Sequence, residues 1–236
     1  LKKDCIPCCF KNWNQDSQIK RRKECLEKQN TSTSVKAVKV TELEEYIKSA
    51  DKFPLEQNRW GILPNVLLEF LNQNKVKCKP KGPSIELNIP CLLRHGIENN
   101  KKQSFIGVIS DIYVDYNNKT DEIPSIKLMK QIIINSITID RFITYYNGNI
   151  ITLFKPKEVD LNINIEQYKT SLLWQQIEGD NEIKERFFKE IVNSLHQFIE
   201  YLKNDDIIID YKYLWDVISS PNPQLFPKGI NIFILE

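Results

Sequence analysis

Residues 181–205 read NEIKERFFKEIVNSLHQFIEYLKND and have the clearest hydrophobic period in the chain. Apolar residues recur there every three or four positions, which is the spacing of one face of an α-helix. The apolar stripe consists of Ile183, Phe187, Ile191, Leu195, Phe198 and Leu202. We therefore expect a long amphipathic helix that buries one face in a core.

Shorter helical patterns occur on both sides of this stretch. In residues 40–50, Thr41 and Glu44 form a capping box, which predicts a short helix. Residues 59–74, RWGILPNVLLEFLNQN, predict a helix that begins at Pro64. Its apolar face would consist of Val66, Leu67, Phe70 and Leu71. Further helices are predicted over residues 103–116, 123–136, 138–148 and 211–219.

Two apolar segments predict strands instead. NIITLF, residues 149–154, favours a short strand over a continuation of the preceding helix, and GINIFIL, residues 229–235, favours a second strand. The expected fold class is therefore mainly α with minor β (α+β). A helical body, residues 35–236, would follow a small Cys/Lys-rich module and its linker, residues 1–34.

The charge of the chain is unevenly distributed. Its net charge is only +2, yet residues 1–40 hold ten Lys and Arg residues against four Asp and Glu residues. That segment therefore carries about +6 and the remainder about −4. A compact basic segment on a mildly acidic body is typical of an end that faces a polyanion, although a solvated basic helix has the same composition.

The sequence predicts no membrane contact. No run of about 18 apolar residues occurs, and residues 1–30 are charged and polar throughout, unlike a signal peptide. The six cysteines, without a secretory signal, therefore argue against a disulfide scaffold. Clustered thiols in a reducing compartment more often bind a metal.

Three of the cysteines lie in DCIPCCFKNW, residues 4–13. The spacing of Cys5 and Cys8 is the usual one for a knuckle that offers two thiolates to one tetrahedral ion, and Cys25 follows at a common distance for a second arm. We therefore predict a structural zinc site from Cys5, Cys8, Cys9 and Cys25, while redox-active or unmetallated thiols remain alternatives.

The fourth zinc ligand is left open by the sequence. Cys9 adjoins Cys8, and a vicinal pair seldom places both sulfurs on one ion. The ligand could instead come from upstream or from Cys78, Cys91 or His95.

Basic side chains near these cysteines suggest phosphate contacts. A zinc knuckle that presents a basic helix would be a compact phosphate-binding device. The predicted nucleic-acid-binding residues are Lys11, Lys20, Arg21, Arg22, Lys23, Lys79 and Lys81.

No established catalytic motif occurs in the chain, and we predict that it is not an enzyme. A P-loop, a dinucleotide-binding glycine motif and a nucleophile elbow are all absent. Asp111, Asp115 and Glu122 could hold a divalent ion for a nuclease, but such carboxylates are usual on the wet side of a helix. His196 is expected to pack beside the apolar stripe, and a dyad with Cys91 has no support in the sequence.

Several blocks, taken in order, resemble the large subunit of the viral early transcription factor. That family occurs in poxviruses, the African swine fever virus group and giant viruses. The resemblance covers nearly the whole chain, and no single block decides it. The blocks are DCIPCCFKNW (4–13), KRRKEC (20–25), RWGILPNVLLEFL (59–71), CLLRHGIENNKKQSFIGVISDIY (91–113), FITYYNGNIITLF (142–154) and DYKYLWDVISSPNPQLFPKGINIFIL (210–235).

The resemblance implies a non-enzymatic transcription activator of the virion and of the viral factory in the host cytoplasm. Members of the family are several times longer than this chain. They pair with a helicase-like ATPase small subunit and direct the viral RNA polymerase to initiation at double-stranded early promoter DNA. A scaffold domain that binds only proteins is the alternative, with Trp60, Trp174 and Trp215 as interface candidates, although each is expected in the core.

Overall fold

The computed structural model describes Ile19 and residues 47–73, 78, 91–117 and 122–235. The chain divides into two compact units, residues 1–45 and residues 46–236. The second unit contains every described residue except Ile19. The predicted domain boundary at residue 34 lies outside the described residues and stays a prediction.

The described part of the second unit is mainly helical, with one two-stranded sheet, which confirms the expected mainly α class with minor β. The strands are β1 (Trp60–Ile62) and β2 (Leu93–His95), and single 3₁₀ turns occur at Tyr145–Gly148 and Glu166–Tyr168. The eight α-helices of the described residues are α1 (Asn65–Phe70), α2 (Ser104–Tyr116), α3 (Ile126–Asn135), α4 (Ile139–Phe142), α5 (Ile150–Leu153), α6 (Leu172–Gln176), α7 (Asn181–Lys203) and α8 (Tyr211–Ser219).

The small sheet joins two segments that are distant in sequence. Strands β1 and β2 pair antiparallel with Trp60 opposite His95, and Lys48 forms a parallel bridge with Gly61. The N–H of Lys48 donates to the carbonyl of Trp60 at 2.8 Å. The helix predicted over residues 40–50 is therefore wrong in its described part, because the backbone of Lys48 pairs with β1.

Helix α1 is shorter than the sequence predicts, and its buried face is different. Pro64 is the N-cap and the helix has six residues. Leu68 is fully buried and forms a small core with Leu63 and Cys78, whereas Val66 and Phe70 are 73% and 70% exposed. Of the predicted apolar face only Leu67 packs against this core, and the short helix is buried mainly through Leu68.

Helix α7 confirms the strongest prediction. The Asp180 side chain accepts the N–H of Ile183 at 2.9 Å, which satisfies one of the free donors of the first turn. Ile191 and the later members of the stripe are buried, whereas Ile183 and Phe187 are exposed. The predicted stripe therefore reaches the core only from Ile191 onward, and in the second turn Phe188, next to Phe187, is the fully buried residue.

The core of the helical body is apolar and rich in aromatic contacts. Helix α2 packs on α3, and α3 and α5 pack on α7. The fully buried ring of Phe198 lies 5.6 Å from the ring of Phe142 and 4.9 Å from that of Phe154. Phe226 reaches the same core from the turn after α8 and meets Tyr116 edge-on.

The strand predicted over residues 149–154 is wrong, because Ile150–Leu153 form helix α5 and Asn149 and Phe154 cap it. Tyr146, Asn147 and Gly148 adopt left-handed backbone angles, which end the preceding turn and begin a new one. Ile150 is fully buried, and Phe154 contacts three other rings. One helical turn puts both side chains, four residues apart, on the core side, which an extended segment cannot do.

The strand predicted over residues 229–235 is also wrong. Near the start of this segment, the N–H of Ile230 donates to the carbonyl of Ser219 at 3.1 Å. No described strand pairs with the segment, and Phe233 is 88% exposed. Its β-branched composition suits a strand, but a strand also requires a neighbour to complete its hydrogen bonds.

Candidate functional site

The predicted zinc and nucleic-acid residues lie outside the described residues, and both assignments stay predictions. They are Cys5, Cys8, Cys9 and Cys25 for the metal, and Lys11, Lys20, Arg21, Arg22, Lys23, Lys79 and Lys81 for DNA.

Cys78 and Cys91 are joined in a disulfide, with their Cα atoms 5.6 Å apart. The expectation that the cysteines would not form disulfides is therefore wrong for this pair. Because their sulfurs bond to each other, neither cysteine is free to be the fourth zinc ligand, and Cys91 is not free to pair with His196, a dyad that the sequence did not support. Cys91 lies just before β2, and both cysteines pack against Leu63 and Leu68, which brings them together.

Asp111, Asp115 and Glu122, the carboxylates suspected of binding a divalent ion, all lie among the described residues, and the last two are exposed. Asp111 lies on α2, where its Oδ2 is 2.8 Å from Nδ1 of His95. Among the described residues, no group of three or more His, Cys, Asp and Glu side chains is placed to hold a metal ion. Asp111 thus acts as the partner of a histidine.

His196 packs at the edge of the core. Its Nε2 is 2.9 Å from Oη of Tyr168, and burial lowers the pKa of the imidazole. Of the three suspected interface tryptophans, which were expected in the core, Trp174 is half-buried and packs against it. Trp215 is half-buried and Trp60 is exposed.

Arg94, on β2, holds the loop that leads into β1. Its Nε donates to the carbonyl of Ile62 at 2.8 Å, and its Nη1 donates to the carbonyl of Lys52 at 3.1 Å. Its Nη2 donates to the carbonyls of Ser49 and Ala50. Four of the five donors of a guanidinium are thus used on backbone oxygens. Arg94 is therefore a structural clamp with little capacity left for a ligand.

The side chain of Phe53 lies over this clamp. The guanidinium carbon of Arg94 is 4.0 Å from the centre of the Phe53 ring, a cation–π contact. Phe53 is nevertheless 66% exposed. The sequence held no signal for this pair, because 41 positions separate the two residues and only the fold of the loop brings them together.

His95 is the neighbour of Arg94 on β2 and faces α2. Its ring lies 4.3 Å from the ring of Trp60 across the sheet, and its Nδ1 faces the carboxylate of Asp111. Within the part of the chain that the structure describes, Nε2 of His95 makes no hydrogen bond. The imidazole is therefore held by two partners and keeps one nitrogen available.

An open hollow of about 410 Å³ lies beside these residues. We call it the aromatic hollow; it is lined by residues 53–55 and 94–97 together with Asn99 and Ser104. A side chain at position 96 is excluded, because a Cβ there would lie 1.9 Å from the carbonyl oxygen of Glu56. Gly96 thus permits the close approach of the two segments that form the hollow.

The surroundings of the aromatic hollow are basic, whereas the helical body is acidic. Residues 47–61 and 91–104 contain six basic and three acidic residues, a net charge of +3. Residues 105–236 contain 13 basic and 19 acidic residues, a net charge of −6. A negatively charged partner would therefore be attracted to the sheet end of the unit and repelled by the helices.

Comparisons with known proteins give no relative: no family model, no curated protein and no solved structure matches the chain. In the described residues, no helix combines the length and the apolar character that a membrane crossing requires.

Proposed function

We propose that this chain is a non-enzymatic part of a viral early transcription initiation factor. It would bind promoter DNA through its basic residues and bind the ATPase subunit and the viral RNA polymerase through its helical body. It would act in the virion and in the viral factory of the host cytoplasm. The resemblance of the six sequence blocks is the origin of this proposal.

The observation that carries the proposal is the division of charge along the chain. Residues 1–40 carry about +6, whereas residues 105–236 carry −6. Phosphate contacts by Lys and Arg supply most of the affinity of a protein for DNA. A polyanion would therefore approach the basic segment and the sheet end, which leaves the acidic helices to bind proteins.

Duplex binding by the whole chain tests the proposal. We expect a labelled promoter duplex to bind in fluorescence anisotropy at about 50 mM salt, with an affinity that falls steeply as salt rises, because each phosphate contact releases counterions. Reversing the charge of Lys20, Arg21, Arg22 and Lys23 to Glu should weaken binding and reduce the salt slope.

A matched variant controls for the change in total charge. Lys157, Arg186, Lys212 and Lys228 are exposed and form no ion pair among the described residues, and all four can likewise be changed to Glu. Equal loss of binding in both fourfold variants would show a nonspecific charge effect. Undetectable duplex binding by the wild-type chain would contradict the proposal.

Zinc at Cys5, Cys8 and Cys25 remains part of the proposal. Metal analysis of the purified chain should give one zinc per molecule, and Cys5→Ser or Cys25→Ser should lose it. Absence of zinc from the wild-type chain would remove the metal from the proposed function.

A protein-binding scaffold is the second candidate, and the acidic helical body favours it. In that case the ATPase subunit should be captured by the chain with equal efficiency before and after reversal of the charge at Lys20–Lys23. Capture of the ATPase subunit combined with no duplex binding would select the scaffold.

A further inference from the structure

We propose that the aromatic hollow receives a nucleobase of single-stranded DNA, such as the strand exposed when a promoter opens. This inference rests on the proposed function and extends it, since it assigns opened DNA to the sheet end of the second unit.

The hollow has the size and the lining that a flat ring requires. Its volume of about 410 Å³ lies in the lower part of the range of roughly 300–1,000 Å³ that ligand pockets have. Phe53, Pro54, Leu55 and Ile97 contribute apolar surface to its lining. Nucleobases present two apolar faces and a polar edge, and this lining matches their faces.

Phe53 supplies a face for stacking. Its ring is 66% exposed, and the Arg94 guanidinium supports it at 4.0 Å. Because four donors of Arg94 are bound to backbone carbonyls, the support is itself fixed in position. Stacking of bases on such exposed rings is the main sequence-independent contact of proteins with single strands.

Polar groups at the hollow can meet the edge of a base. Nε2 of His95 makes no hydrogen bond to the described residues, while Asp111 and Trp60 hold the ring in place. The amide of Asn99, also at the hollow, is exposed and likewise has no partner in the described part of the chain. In the neutral imidazole whose Nδ1–H donates to Asp111, Nε2 is an acceptor, whereas the amide of Asn99 can both donate and accept. Together the two groups can meet donors and acceptors on a base edge.

The charges favour DNA over an acidic peptide as the occupant. Arg94 has little donor capacity left for a carboxylate, so the interior of the hollow suits a neutral group. Lys52, Arg59 and Lys101 are exposed in the same net-positive segments, where they can meet phosphates. A base in a duplex is stacked and paired and would have to flip out to enter. A single strand is therefore the expected ligand.

The test compares single-stranded and duplex DNA on the full chain. In fluorescence anisotropy at constant salt, Phe53→Ala should weaken binding of a labelled oligothymidylate about tenfold and leave duplex binding unchanged. Phe53→Trp should retain single-strand binding. Phe187→Ala, which removes a similarly exposed ring from the acidic helix α7, is the matched control and should have no effect.

A crosslinking experiment locates the base independently of affinity. Oligonucleotides that carry 5-iododeoxyuridine should crosslink to Phe53 or His95 under ultraviolet light, as mapped by mass spectrometry. Crosslinks confined to residues outside the hollow would overturn the assignment.

The remaining outcomes distinguish failure of the base site from failure of the proposed DNA-binding function. Normal duplex binding with single-strand binding unaffected by Phe53→Ala would overturn the base site alone. If Phe53→Ala weakened the binding of single-stranded and duplex DNA equally, Phe53 would have no preference for an unpaired base, and the base site would likewise be overturned. Binding of an acidic aromatic peptide that depends on Phe53, with unchanged single-strand binding, would assign the hollow to a protein partner. No binding of either DNA form by the wild-type chain would overturn the base site and the proposed function together.

Discussion

The sheet end and the helical body of the second unit are stabilised in different ways. The described residues between positions 98 and 235 share one apolar core with more than twenty buried hydrophobic side chains. The sheet end, residues 47–97, has a described core of only Leu63, Leu68 and Cys78. It depends instead on the Arg94 clamp, on the disulfide and on the contact of His95 with α2.

This difference in stabilisation predicts a difference in rigidity between the two regions. Burial of large apolar side chains is strong and non-directional, so the body is expected to be rigid and tolerant of surface change. A region held by a few directional contacts opens more readily and can expose aromatic rings. The sheet end, with its exposed rings and basic residues, is therefore expected to be the less stable region, and binding residues are common in such regions.

The largest expected loss of stability comes from a substitution in the helical body. Phe198→Ala removes a fully buried ring that contacts Phe142 and Phe154, and should lower the free energy of unfolding by about 3–5 kcal/mol in urea titration. Phe187→Ala, at an exposed position on the same helix, should change it by less than about 0.5 kcal/mol. Similar losses of unfolding free energy in both variants would contradict the expectation that burial determines the cost.

The second effect concerns the disulfide. Changing both Cys78 and Cys91 to Ser releases a loop with a separation of 13 residues, which costs about 3 kcal/mol in the loop-entropy model. Hydrogen exchange should accelerate at the amides of Lys48, Ile62 and Gly96, with the core of α7 unchanged. Equal acceleration in α7 would show that the two regions unfold as one.

The third effect tests the clamp. Arg94→Lys keeps the charge but cannot donate to four carbonyls in two directions, so the local opening free energy should fall by about 1–3 kcal/mol. Hydrogen exchange at the amides of Lys48, Ile62 and Gly96 measures this change. Arg59→Lys, at an exposed ion pair with Glu56, is the matched change and should have almost no effect. Unchanged exchange in Arg94→Lys would show that the clamp does not hold the loop.

The smallest effect is a pH dependence in the body. Nζ of the buried Lys130 donates to Oδ1 of Asp205 at 2.7 Å, and this hydrogen bond holds the pKa of Asp205 below its ordinary value of 3.8. A lowered carboxyl pKa stabilises the fold above the ordinary value, and this contribution is lost as pH falls through the folded value.

Urea midpoints measured from pH 5 downward should therefore decrease slightly more in the wild-type chain than in Asp205→Asn. The exposed side chain of Asp205 makes the effect small. Asp206→Asn, which changes an almost fully exposed carboxylate, is the control. Identical pH curves for wild type and Asp205→Asn would show that the pair contributes nothing to stability.

The sequence alone determined the helices with long, regular patterns. Helices α2, α3, α7 and α8 fall where they were expected, because hydrophobic period and capping act within a few residues of each other. Asp180, for example, begins α7 through a contact to Ile183, which lies only three positions further along the chain.

Tertiary structure decided the short elements and the site. Ile150–Leu153 are helical because one turn brings Ile150 and Phe154 to the same core. Residues 229–235 form no strand because no described strand lies beside them. The aromatic hollow depends on Arg94 reaching carbonyls 32 to 45 positions away, and the disulfide on a return of the chain. Such contacts join residues that are distant along the chain, so no local pattern encodes them.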